Sequence, residues 1–472
     1  MFKYERHQPE NTLLYKIIEK YHPLFVSHLA ELGRVLPSHV QQEFEDYLKC
    51  GLLEHGFLRV RCSNCCHERL VAFSCKRRGF CPSCCAKRMV ESSALLVDKI
   101  LPHQPFRQWV LSFPFPLRFL FASQPQILSK VLGIVYRAIS VYLIKKAGLT
   151  KKTAKTGAVT LIQRFGSALN LNIHFHMIFL DGVYAFNKKS EPDFVRVTKH
   201  KVEDIMQIVN KISVRIASYL LRAALIERDA ENTYFTQDGL NHSENEDQSH
   251  SINYRIAVGP QKGKKVFALQ TLPPMVNEKD NQELISNIGG FSLHAGVKVD
   301  AHRRDKLEHL CRYIARPPVS TERLSLTPQG NIRYELKTPY RNGTTHCIFH
   351  PLDFISKLAA LVPTPRLNLT RYHGLFASHS ENRSLCINQK NKDKKLSLDD
   401  ARTECEKNVA MKWAARLKRA FNIDIDICET CGGPAKVIAC IDDPVVIKKI
   451  LDHINHDSHS QLLLPIGRGP PA

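Results

Sequence analysis

The stretch Asn170 to Leu180, NLNIHFHMIFL, constrains the fold more than any other part of the chain. Its alternation has the strand period of two: Leu171, Ile173, Phe175, Met177 and Phe179 fall on one face, and Asn170, Asn172, His174 and His176 on the other. So apolar a face must be buried, which puts the strand in a sheet with a packed layer behind it. The polar face carries two imidazoles at i and i+2. On a rigid strand such a pair can chelate one divalent ion, with Phe175 between them anchoring the strand in the core. The same short pattern also fits histidines that only face water or bond their neighbours, so spacing alone does not decide the matter.

Flanking segments supply partners for this strand. WVLSFPF from Trp109 reads as a strand, Ile127 to Lys146 as a helix, and GAVTLIQRFG as a second strand that turns through Gly166 into the first. Two strands joined by a glycine turn pair antiparallel, which brings Gln163 to the polar side near His174 and His176. Val202 to Arg228 reads as a long helix, and the polar run Asp229 to Asn253 as an exposed insertion. FSLHAGVKVD, Phe291 to Asp300, alternates again and places His294 on a polar face, a candidate third metal ligand. Asp300 fits as N-cap of a helix from Ala301 to about Arg316, ended by Pro317-Pro318. Tyr313 flanks the apolar stripe of that helix, above His309 and Lys306, so its ring can pack while its hydroxyl reaches a cleft.

Charge and cysteines add a second theme. With 67 Lys plus Arg against 45 Asp plus Glu, the formal charge is +22, which favours a polyanionic partner over an acidic small molecule. A hydrophobic content of 43% over 472 residues is globular and sufficient for two to four domains. The polar N-terminus has no signal-peptide pattern, and no uncharged apolar run reaches the roughly 18 residues of a membrane span, so a cytoplasmic protein is expected. In a reducing compartment the 15 cysteines point to metal. Cys62-x2-Cys65 and Cys81-x2-Cys84 have the spacing of a four-thiolate structural zinc site, with Cys66, His67, Cys75 and Cys85 near enough to replace one ligand. Arg59, Arg61, Lys76, Arg77 and Arg78 belong to a basic run, Arg59 to Arg88, that contains one acid, Glu68. A zinc-held module with that field suits a phosphate backbone. The N-terminal helices, Thr12 to Tyr21 with Pro23 as its stop and Ser38 to about Lys49, read as packing elements. Further on, Arg366, Arg371, Tyr372 and His373 form a basic and aromatic patch that suits stacking on or clamping DNA, and an ordinary surface loop fits it as well. Cys428-x2-Cys431 is half a zinc knuckle that Cys440, His453 or His456 could complete.

The segments RCSNCCHERLVAFSCKRRGFCPSCC, QRFGSALNLNIHFH, LEHLCRYIARPP, RLNLTRYHGLF and CETCGG, in this order across residues 59 to 433, resemble rolling-circle insertion-sequence transposases of the HUH class, the two-tyrosine and common-region (ISCR) group. The resemblance implies an α+β fold: an HUH nuclease domain with a central antiparallel sheet flanked by helices, behind an N-terminal helical and zinc-binding module. It implies His174 and His176 as ligands of a catalytic Mg²⁺ or Mn²⁺, structural Zn²⁺ and Tyr313 as nucleophile. The place four residues before Tyr313, where two-tyrosine members carry another tyrosine, holds His309. The expected domains are 1–100 for DNA and zinc binding, 101–320 for the nuclease with its insertion at about 229–253, and 321–472 as a C-terminal region.

The function implied is nicking and rejoining of single-stranded transposon ends through a 5′-phosphotyrosine. Lys306, Arg316, Arg366 and Arg371 join the candidate DNA contacts. No phosphate-binding loop is present, since GPQKGKK does not match, so no nucleotide cofactor is expected and strand separation falls to host helicase or replication proteins. A zinc-dependent DNA-binding regulator and a plasmid rolling-circle replication initiator or relaxase are the competing functions.

Overall fold

The computed structural model describes residues 8–186, 192–228, 233–235, 251, 264–270, 284–340, 342–387 and 427–461. The chain forms two compact units, 1–20 with 41–77 and 408–472, and 21–40 with 78–407. Helix α1, Leu13–Glu31, starts where the Tyr15 N–H donates to Thr12 Oγ1 at 3.3 Å, and it runs through Pro23, where a stop was expected. Phe25 and Leu29 are buried and continue the stripe of Leu14 and Ile18. Packing along that stripe outweighs the one backbone bond that proline removes. Helix α2 spans Ser38–Lys49, and Gly51 just past it takes φ +84°, as a helix-stopping glycine does.

In the first unit β1, Phe57–Cys62, and β2, Glu68–Ala72, form an antiparallel hairpin. The other edge of β1 is taken by a strand from far along the chain, Ala435–Ile441, also antiparallel, with Cys62 opposite Ala435. A helix, Pro444–Gln461, follows that strand.

From residue 78 on, the second unit comprises α3, Pro82–Leu95, then β3, Phe106–Ser112, α4, Phe115–Ser123, and α5, Pro125–Lys146. Next come β4, Ala154–Lys155, β5, Gly157–Phe165, β6, Leu171–Leu180, β7, Gly182–Ala185, β8, Asp193–Arg196, and α6, Val202–Arg222. Two short strands β9, Ile226–Arg228, and β10, Thr233–Phe235, pair with each other. Of the expected insertion, only 233–235 and Ser251 lie among the described residues. The remainder comprises β11, Phe267–Gln270, β12, Ile285–Ile288, β13, Phe291–His294, β14, Lys298–Val299, α7, Arg304–Ile314, β15, Leu324–Leu326, β16, Ile332–Glu335, β17, Thr344–Phe349, α8, Pro351–Leu361, β18, Thr370–Gly374, and α9, Arg383–Ile387.

An antiparallel sheet in the order β12-β13-β3-β6-β5-β18, with β14 also on β3, forms the centre. The expected α+β class, with antiparallel sheets and helices on their faces, is therefore what the chain adopts. The odd residues of β6 meet Trp109, Leu111 and Phe113 and the buried sides of α4, α5 and α6. Each large apolar side chain so buried contributes roughly 1.5–3 kcal/mol. Ile178 and Leu180, of opposite parity, pack instead with Leu307, Cys311 and Ile314 of α7. Both faces of β6 are thus covered, and the histidines lie under the α7 side. α5 is long and apolar enough to cross a bilayer by length and composition, but Val131, Val135 and Ile139 are buried in the core.

At the far end of β6 a buried ion pair fixes the strand. Arg107 on β3 donates through Nε and Nη2 to the two Asp181 carboxylate oxygens at 2.8 and 3.2 Å, and through Nη1 to the Ala295 carbonyl at 2.9 Å. Asp300 does not cap a helix, since α7 starts only at Arg304. Its carboxylate accepts from Arg196 at 2.7 Å and pairs with Lys298 at 3.2 Å, so those cations hold the oxygen a cap would use.

Candidate active site and thiol centre

His174 and His176 project from β6 with ring centroids 4.9 Å apart, and are only 8% and 7% exposed. The Asn172 carbonyl lies 2.8 Å from His174 Nδ1. A carbonyl only accepts, so Nδ1 carries the proton and Nε2 keeps its lone pair, the state a metal-ligating imidazole needs. His176 Nδ1 lies 2.9 Å from the Gln108 side-chain amide on β3. The amide nitrogen of Gln108 faces Nδ1, which therefore accepts and leaves the proton on Nε2; the same amide turned over presents its oxygen, moves the proton to Nδ1 and frees Nε2 for a metal. Burial, helped by the charges of Arg316 and Arg118, pushes His174 down to about 4. Burial and the neighbouring His174 hold His176 well below the usual imidazole range. Two neutral, oriented imidazoles of this kind fit a divalent ion.

His294 lies on the expected face. In the sheet it stands opposite Val110, which in turn stands opposite His176, so it is two strands away from the pair. A Cβ at Gly296 would stand 3.0 Å from His294 Nε2, so the imidazole folds back over its own loop. Among the described residues no third His, Cys, Asp or Glu ligand atom gathers with the pair within 4.8 Å.

The turn that carries Tyr313 is tied to this place by a side-chain-to-backbone bond that residue spacing does not reveal. Gln163 is paired in register with His174, and its amide donates to the carbonyl of Ile314 at 3.2 Å. The last turn of α7 is therefore tied to the strand position beside the histidines. Tyr313 is 44% exposed at that turn. Its ring is contacted by two cations, Arg316 with its guanidinium carbon 4.5 Å from the ring centroid and Lys337 with its ammonium at 4.3 Å. Arg316 also reaches over Phe165, at 5.6 Å. His309, one turn before Tyr313, is exposed, as is Lys306. Sequence reasoning missed Lys337 and Gln108, which lie on other elements and carry no motif.

Beside this turn a cavity of about 300 Å³ is walled by Arg78, Arg88, Arg164 and Arg316 with Gln163 and Asn368, and among the described residues no acidic one lines it. Arg164 is buried, which pushes its guanidinium down to about 10. Its Nε and Nη2 donate to the Leu361 and Ala360 carbonyls at the end of α8, each at 3.4 Å, while Nη1 makes no hydrogen bond. Arg78 donates to the Leu367 carbonyl at 2.8 Å. Arg366 is exposed with φ +61°, and Arg371 on β18 donates to Ser129 Oγ at 3.4 Å. In the first unit Arg59 donates to Glu68 through Nη2 at 2.6 Å, Arg61 lies 3.9 Å from the same carboxylate, and Arg77 pairs with Asp46. Lys76 takes φ +54° and is exposed.

The thiols of the first unit meet in an unexpected combination. Cys62 Sγ lies 3.5 Å from Cys431 Sγ, and Cys65 Sγ lies 3.5 Å from Cys428 Sγ, with all four sulfurs within 4.8 Å of one another. Cys62 and Cys65 thus find their partners 363 to 369 residues away, where spacing paired them with Cys81 and Cys84. The cause is the strand Ala435–Ile441, which pairs with β1 and carries the second Cys-x2-Cys to the end of it. Cys440, considered as a partner for Cys428, faces Leu58 towards the other end of that ladder. The N–H groups of Cys431 and Thr430 push Cys428 down to about 6. Cys81 is the N-cap of α3 and Cys84 lies in its first turn, while the Cys75 N–H donates to Cys50 Sγ at 3.3 Å.

Comparison with known families places both regions. Residues 157–384 match the family described as "Putative transposase", and residues 17–113 match a transposase zinc-binding domain of the IS91 type. Searches of curated proteins and of solved structures gave no match. The chain therefore carries a transposase domain and a transposase zinc-binding domain, and a transposase function with DNA as partner follows from them.

Proposed function

We propose that the protein nicks and rejoins single-stranded DNA at transposon ends through a covalent 5′-phosphotyrosine on Tyr313, the chemistry of an HUH-class nuclease. The observation that carries this reading is the Gln163 bond to the Ile314 carbonyl, which holds the tyrosine turn over the strand position paired with His174. The Tyr313 oxygen attacks the scissile phosphorus as the bond to the 3′ oxygen breaks. The phenol proton ends on that oxygen, giving a free 3′ hydroxyl. Arg316 and Lys337, packed on the Tyr313 ring, offer charge to the phosphate and favour the phenolate as it forms. A Mg²⁺ or Mn²⁺ ion held by His174 and His176 would supply Lewis-acid polarisation of the phosphate. His294, two strands away and folded over its own loop, would have to swing across Val110 to join them as a third ligand.

The phosphotyrosine keeps the bond energy for rejoining, so the reverse attack by a 3′ hydroxyl needs no nucleotide cofactor. With His309 in place of an earlier tyrosine, each chain has one nucleophile. The basic cavity beside Tyr313 takes the adjoining strand, its four arginines matching an unpaired phosphodiester. Lys306, Arg366 and Arg371 extend that track, and the basic first unit with Arg59, Arg61, Lys76 and Arg77 meets the DNA backbone elsewhere. Cys81 and Cys84 serve as ligands of a structural zinc. Action on chromosomal DNA implies a cytoplasmic protein.

The test is incubation of the purified protein with a labelled single-stranded terminal oligonucleotide across a Mn²⁺ and Mg²⁺ titration. Cleavage that needs the ion and is lost in His174→Ala supports the reading. Binding without cleavage at any ion concentration would make the protein a DNA-binding regulator. Cleavage of a plasmid origin in preference to element ends would make it a replication initiator.

A further inference from the structure

Three observations on the first unit converge on a metal site that joins distant parts of the chain. Sulfur contacts of 3.5 Å are far too long for disulfides, whose bond is about 2.05 Å, and all four cysteines are free. A tetrahedron with zinc–sulfur bonds of about 2.3 Å has edges of about 3.8 Å, close to what these thiols already adopt. Each Cys-x2-Cys is also shaped as a knuckle. Its second cysteine is followed by a left-handed residue, Cys66 at φ +60° and Gly432 at φ +71°. The Asn64 N–H turns back to donate to Cys62 Sγ at 3.4 Å.

The surrounding backbone is built to hold the two knuckles together. The Cys428 N–H donates to the Gly433 carbonyl at 2.7 Å, and the Ser63 N–H donates to Pro434 at 2.9 Å, bridging one knuckle to the other. The antiparallel ladder between β1 and Ala435–Ile441 continues directly from them, and Arg69 pairs with Glu429 at 3.4 Å.

We propose that Cys62, Cys65, Cys428 and Cys431 bind one zinc ion as a ribbon that clasps β1 and β2 to the chain's far C-terminal strand, so that the basic first unit is completed only by residues beyond 427. This site stands whether or not Tyr313 is the nucleophile. Its consequence is that loss of the C-terminal knuckle removes order from the N-terminal basic strands, although those strands are complete in sequence.

The experiment measures zinc per full-length chain in wild type, Cys62→Ser plus Cys65→Ser, Cys428→Ser plus Cys431→Ser, and the quadruple variant. Each double variant is expected to lose the same one equivalent, and the quadruple variant no more than either. Unchanged zinc in the Cys428→Ser plus Cys431→Ser variant, or losses that add to two equivalents, would overturn the proposal. Since a variant can fail to fold, wild type provides a second measurement: alkylation of thiols followed by peptide mass spectrometry, with and without a chelator. The four cysteines are expected to be protected together and to become reactive together as zinc leaves. Labelling of Cys428 and Cys431 while Cys62 and Cys65 stay protected would refute the clasp.

Discussion

The histidine pair and the thiol set are both donor clusters held by strands, yet they are assembled in opposite ways. His174 and His176 come from one strand, two residues apart, and the period of the strand alone sets them side by side. Cys65 and Cys428 come from segments 363 residues apart, and only the pairing of β1 with Ala435–Ile441 brings them together. A site of the first kind survives as long as its strand stays in the sheet. A site of the second kind exists only when a long loop has closed, and bound metal then contributes to closing it.

This contrast can be broken or sharpened by four substitutions. The largest effect is expected from Asp181→Ala, which leaves Arg107 buried without its carboxylate and removes the clamp at the end of β6. The cost is about 3–5 kcal/mol, read as a lower denaturation midpoint by circular dichroism. An unchanged midpoint would mean the strand is held by packing alone. Next, His174→Ala should keep the wild-type midpoint while cleavage falls by about 10²-fold or more, since the donor is lost and its strand is not. Gln108→Leu removes the group that orients His176 and should weaken divalent-ion affinity about 10- to 100-fold, measured as the Mn²⁺ concentration at half-maximal cleavage. A rate loss that no added Mn²⁺ restores would assign Gln108 a different role. The smallest effect is expected from Lys337→Met, where losing one cation from the Tyr313 ring, worth about 0.5–1 kcal/mol, should slow cleavage a few-fold at saturating ion.

What could be read in the sequence follows the same division. The alternation of 170–180 gave the strand, its buried face and the histidine face, and the turn at Gly166 gave the antiparallel neighbour. A Cβ at Gly166 would stand 2.2 Å from Asn170 Oδ1, so a side chain there would displace the buried Asn170 amide. Helix limits were less legible. Val202 to Arg228 shortens to Val202–Arg222, because Ile226–Arg228 is recruited as a strand. The helix with Tyr313 begins at Arg304, because ion pairs occupy the Asp300 carboxylate. The thiol pairing was not legible at all. Cys81-x2-Cys84 lies near Cys62-x2-Cys65 in sequence, and nothing local distinguishes it from a pair that a distant strand delivers. Lys337 and Gln108 were invisible for a related reason, since their roles arise from tertiary contact with Tyr313 and His176.

The most direct measurement is to trap the protein on a single-stranded terminal oligonucleotide with Mn²⁺, digest it, and locate the DNA-linked residue by peptide mass spectrometry. Tyr313 alone should carry the 5′-phosphate, with adduct formation abolished in Tyr313→Phe and retained in Tyr372→Phe. An adduct on another residue, two modified tyrosines in one chain, or an adduct that persists in Tyr313→Phe would contradict the account.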